Sequence, residues 1–109
     1  MNFTVKLTEQ AENDLRGIYE YIANELKSPE IAINQLDRLE KNILDLDFMP
    51  DRFRLYEKEP WYSRGLRIMP VDNYLVFYIT DRADMTVTVI RIMYGGRDVD
   101  AQLKKNTKI

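Results

Sequence analysis

With 109 residues, 16 Lys/Arg against 18 Asp/Glu and a formal net charge of −2, the chain is long enough for one domain with one core and too short for two. It contains neither cysteine nor histidine, which excludes disulfides, a thiol nucleophile, thiolate or imidazole metal ligands and the usual general base near neutral pH. No apolar run approaches the roughly 18 residues a membrane span needs, and Met1 to Val5 show no basic-then-apolar leader pattern, so a soluble, cytoplasmic protein held by packing alone is expected.

Phe3, Val5 and Leu7 alternate with Thr4 and Lys6, the pattern of a short half-buried strand that Thr8 ends. Thr8 then suits the N-cap of a helix whose first turn holds Glu9 and Glu12 and whose apolar positions Ala11, Leu15, Ile18, Ile22 and Leu26 recur every three or four residues. Its acidic residues read as ordinary surface charge. Ser28-Pro29 stops and restarts the chain, and Ala32, Leu36, Leu39, Ile43 and Leu46 form the stripe of a second helix, antiparallel to the first.

Pro50 closes that helix, and residues 51–65 form an irregular stretch rich in arginine and aromatic side chains. Such a stretch can pair with phosphates and stack on bases, or it can lie over the core edge; the lid reading is preferred for Phe53, Leu55 and Trp61 and both stay open for the arginines. A charge asymmetry bears on the same choice. Residues 1–51 hold 5 Lys/Arg and 11 Asp/Glu, while residues 52–109 hold 11 and 7, so the second half is the one suited to a polyanion.

Three strands complete the chain: Leu66–Val71, with Pro70 pointing to an edge position, then Tyr74–Ile79 after an Asp72-Asn73 turn, then Val87–Tyr94. The middle strand is apolar on both faces, with Leu75, Phe77 and Ile79 opposed to Tyr74, Val76 and Tyr78. Regular alternation in the last sets Val87, Val89 and Met93, with Arg91, against Ile90, Ile92 and Tyr94. The expected fold is α+β: an N-terminal strand, an antiparallel helix hairpin and a three-stranded antiparallel meander, with the helices on one sheet face. The second face then needs a cover, from the aromatic loop, the tail after Asp98, or another chain. Asp98 suits the cap of a single helical turn reaching Leu103, followed by a mobile basic tail with Lys104, Lys105 and Lys108.

The ordered set Ala11-Glu12-Asn13-Asp14-Leu15, Ser28-Pro29-Glu30, Asn73-Tyr74-Leu75-Val76-Phe77-Tyr78, Val87-Thr88-Val89-Ile90-Arg91-Ile92-Met93-Tyr94 and Gly96-Arg97-Asp98 resembles the RelE/ParE superfamily of bacterial type II toxins over nearly the whole length. The resemblance implies a growth inhibitor neutralised by a cognate antitoxin, which would cover the apolar sheet face. It also implies a target, either DNA gyrase, as in the ParE-like branch, or mRNA on the ribosome, as in the RelE-like endonucleases. An inactive relative that keeps only antitoxin binding is a further alternative. Arg97 matches the arginine that RelE-type enzymes place after the last strand; Leu75 and Leu103 stand where those enzymes carry a second arginine and a C-terminal tyrosine. The ParE-like reading is therefore preferred. Under the endonuclease reading Arg97 and Arg91 would hold phosphate and Tyr94 or a lysine would move protons, whereas the bland alternatives are an ion-paired strand arginine and a sheet aromatic. Arg64, Arg67, Arg97, Lys104 and Lys105 are the candidates for contact with nucleic acid or target. No cofactor, metal site or membrane contact is expected.

Overall fold

The computed structural model describes residues 2–96 and 98–107, the side chain of Asn106 excepted. A first strand β1 (Thr4–Leu7) leads into helix α1 (Glu9–Glu20), and α2 (Pro29–Leu44) returns along it. Strands β2 (Arg67–Val71), β3 (Tyr74–Asp81) and β4 (Thr86–Tyr94) follow, and helix α3 (Val99–Asn106) closes the described chain. The sheet order is β1-β4-β3-β2, with β1 parallel to β4 and the other neighbours antiparallel. No described helix is long and apolar enough to cross a membrane.

Local chemistry explains the junctions. Thr8 extends β1 by donating its N–H to Val89 O at 3.0 Å, caps α1 by accepting from Ala11 N at 3.1 Å, and donates its hydroxyl to Ile90 O at 3.0 Å. One side chain thus ties the start of a helix to the strand beneath it. The α1 stripe runs as expected only to Ile22. A π-turn over Tyr21–Glu25, with Leu26 N bonded to Tyr21 O, inserts an extra residue per turn and rotates Leu26 out to 55% exposure. At the far edge of the sheet, Ile68 N donates to Arg54 O, and the next outward position, Pro70, has no N–H to leave unpaired.

Two cores result, one on each sheet face. Ala11, Leu39 and Ile43 from the helices meet Val76, Tyr78, Val87, Val89 and Ile92 on the first face. On the second, Phe77, Ile68, Ile90 and Met93 are sealed by Trp61 from the loop and Leu103 from α3. Of the three covers left open for this face, the aromatic loop and the segment after Asp98 supply it rather than another chain, the latter as a helix longer than the single turn read from Asp98 to Leu103. Asp98 does cap it, accepting from Ala101 N, and Lys104 and Lys105 belong to this helix rather than to a tail; Lys108 lies outside the described residues.

The face assignment in β4 also differs from the regular alternation. Phe77 pairs with Arg91 but Tyr78 pairs with Val89, leaving Ile90 as the extra residue of a β-bulge. After the bulge the parity flips, so Ile92 joins Val87 and Val89 under the helices and Met93 joins Ile90 on the second face.

Candidate functional site

The end of β4 carries two of the candidate side chains, Arg91 and Tyr94. The bulge sets Arg91 opposite Phe77, whose side chain faces the second core, rather than beside Val89 under the helices; across the sheet edge its Nε donates to Asp14 Oδ2 at 2.7 Å and Nη2 to Oδ1 at 3.1 Å. Asp14 Oδ2 also accepts the backbone N–H of Ile92 at 2.9 Å, and Arg91 Nη1 donates to Thr107 Oγ1 at 3.2 Å. The two charged side chains are 10% and 16% exposed. Arg91 is thus spent on protein acceptors. Asp14 is not the ordinary surface charge read from its helix. An arginine inside an apolar strand needs a nearby anion, and Asp14, one turn beyond Ala11 at the margin of the α1 stripe, was the sequence signal for it.

Tyr94 is half exposed and packs edge-to-face on Tyr74, with centroids 5.9 Å apart. Gly95 N donates to Asn73 O, and Gly96 lies against the Tyr94 ring so closely that a Cβ there would sit 2.4 Å from Cε2. Burial, then proximity to Tyr94 and Tyr21, raises the Tyr74 phenol above its ordinary value. Arg91 and Tyr94 are close in sequence, yet one turns to Asp14 and the other to Tyr74, so the structure does not bring them into one pocket. Arg97, between Gly96 and Asp98, lies outside the described residues.

The remaining candidates are spread out. Arg67 is turned inward, donating to Phe53 O at 2.7 Å and pairing with Asp51. Arg64 is exposed and stacks over the Trp61 ring at 5.5 Å. Lys104 sits 3.4 Å from Asp100, which also accepts from Tyr56, and Lys105 is exposed. Arg64, Lys104 and Lys105 therefore ride on the loop and helix that cover the second face, away from Arg67.

Two features carried no sequence signal. Tyr78 is fully buried and donates its hydroxyl to Pro50 O at 2.5 Å; burial pushes its phenol up to about 12. Beside this latch Leu44, Phe48 and Met49 stand exposed, and Phe3, Phe48, Met49, Pro50, Arg52 and Arg82 line a cleft of about 370 Å³. Met49 adopts a left-handed φ of 47°. Among the described residues no group of three acidic side chains is placed to hold a metal.

Residues 5–99 match the family model described as ParE toxin of type II toxin-antitoxin system, parDE. No curated protein sequence matches. Among solved structures, the chain is similar to one from the chromosomal ParDE toxin-antitoxin system of P. aeruginosa, at 19% identity and TM-score 0.69, covering 84% of this chain and 95% of that one. It is also similar to one in the RelBE2 toxin-antitoxin complex of Mycobacterium tuberculosis, at 22% identity and TM-score 0.65, with 86% and 92% covered. A third similarity is to the archaeal RelE-RelB complex of Pyrococcus horikoshii, at 17% identity and TM-score 0.58, with 89% and 99% covered.

Proposed function

Because this chain belongs to the ParE toxin family of type II toxin-antitoxin systems, we propose that it is the growth-inhibiting half of such a module, acting in the cytoplasm on DNA gyrase by protein contact and silenced by a cognate antitoxin. The observation that carries the choice of target is the state of Arg91. An RNA-cleaving site needs cations free to meet a phosphorane-like charge and a group able to take the 2′-hydroxyl proton. Arg91 is held on Asp14 and Thr107 and is not free to meet such a charge, and Tyr94, packed on Tyr74, is not brought beside it. Such a surface is better suited to binding than to proton transfer.

Within this reading Arg97 contacts the target, with Tyr94 and the exposed cations Arg64, Lys104 and Lys105 as secondary contacts. With the second sheet face already filled, the antitoxin gains apolar area at exposed side chains such as Leu44, Phe48 and Met49, or Leu26, Ile31 and Ile33. Induced expression tests the reading. Growth should stop and resume when the neighbouring reading frame is co-expressed, and primer extension should find no new 5′ ends inside coding regions. New ends at ribosome-bound codons would instead identify an endonuclease, and unaffected growth would identify a chain that only binds antitoxin.

A further inference from the structure

We propose that Asp14 is a positioning residue for the C-terminal end of the molecule, setting through Arg91 where the Gly95-Gly96 turn and α3 lie relative to the sheet. This rests on the toxin reading above for what that end does, and on geometry alone for how it is held.

One carboxylate organises three parts of the chain. Asp14 on α1 takes both the Arg91 guanidinium and the Ile92 N–H of β4, and the remaining arm of Arg91 reaches Thr107 beyond α3, 16 residues further on. The arrangement depends on two local irregularities. β1 stops opposite Val89, so the edge of β4 beyond it has no neighbouring strand, and Asp14 supplies the acceptor that a strand would have supplied. The bulge at Ile90 sets Arg91 opposite Phe77, on the second-face side of that edge, and from there its guanidinium meets the Asp14 carboxylate while its other arm meets Thr107.

The brace lies on either side of two consecutive glycines, the most freely varying backbone there is, and α3 is anchored on the sheet mainly by Leu103 and Val99 among the described residues. A largely buried ion pair is a poor device for stability alone, because apolar side chains of similar volume do as well; its better-attested use is to select one arrangement. Here the selected arrangement is the angle at which the turn and α3 leave the sheet. The Asp14 carboxylate meets no target in this scheme. It acts through Arg91.

Hydrogen exchange on the full-length chain, read peptide by peptide beside growth arrest and melting temperature, tests this with Asp14→Asn, Thr107→Val and Thr107→Ser. Asp14→Asn and Thr107→Val should each speed exchange over residues 92–107 by roughly tenfold while the helix hairpin stays protected, and both should lose most growth arrest. Thr107→Ser keeps a hydroxyl for Arg91 and should retain both properties. Uniformly faster exchange with early melting in Asp14→Asn and Thr107→Val would make the pair a stability device and overturn the proposal. So would local loosening with full growth arrest, or lost arrest with unchanged exchange. If the unmodified chain fails to arrest growth, the toxin reading falls by itself, and the exchange pattern still decides whether Asp14 holds the C-terminal end.

Discussion

Removing one oxygen, in Tyr78→Phe, tests how the sheet is tied to the turn that follows α2. Tyr78 is fully buried, and its hydroxyl is the donor that Pro50 O receives at 2.5 Å. Phenylalanine keeps the ring and strands that carbonyl, which costs about 1–3 kcal/mol near neutral pH; for a chain of this size that lowers the melting temperature by roughly 5–15 °C. The pH dependence adds an independent signature. Folding raises the phenol from an ordinary 10.0 to about 12, so the folded state holds the proton more tightly than the unfolded state. Its contribution is complete below pH 10 and is lost as pH rises through 12. Two pH units at 1.36 kcal/mol each correspond to about 2–3 kcal/mol. Urea unfolding of both proteins at pH 8, 10 and 11.5 measures this: the gap between the native chain and Tyr78→Phe should narrow as pH rises. A gap that is absent at pH 8, or constant to pH 11.5, would refute the buried-donor account.

Other substitutions separate packing from function. Phe77→Ala empties the centre of the second core and should cost about 3–5 kcal/mol, abolishing growth arrest by unfolding; Arg97→Ala should abolish arrest while melting within a few degrees of the native chain, and an equally early melt would make Arg97 structural. Thr8→Ala removes both a cap and a donor to Ile90 O, so urea unfolding should show a loss of about 1–2 kcal/mol. Gly96→Ala places a methyl group into the Tyr94 ring and should swing that ring off Tyr74, costing about 1 kcal/mol and letting the Tyr74 phenol fall back toward its ordinary value in ultraviolet difference titration.

Residues with a period carried their own placement. The β1 alternation, the α2 stripe, the opposed faces of β3 and the cap at Asp98 all follow from side-chain spacing, which depends on the backbone repeat alone. Where the repeat slips by one residue, spacing fails. The π-turn at Tyr21–Glu25 moves Leu26 into solvent, and the bulge at Ile90 exchanges Ile92 with Met93; neither carries a Gly or Pro to announce it. Long-range pairings were equally hidden. The apolar surroundings of Arg91 call for an anion without saying which of the chain's carboxylates, 77 residues away, supplies it, and nothing local to Tyr78 points to Pro50 as its acceptor. The aromatic loop was readable as a lid at Trp61 because a large apolar side chain in a 109-residue chain with two apolar sheet faces has few other places to go.

The central claim is that the chain blocks DNA gyrase by contact. Supercoiling of relaxed plasmid by purified gyrase, with the full-length protein added in increasing molar ratio, reads this without the complications of cells. Supercoiled product should be lost progressively, an effect reversed by adding the antitoxin and absent with Arg97→Ala. Undiminished supercoiling at a large molar excess of correctly folded protein would contradict it.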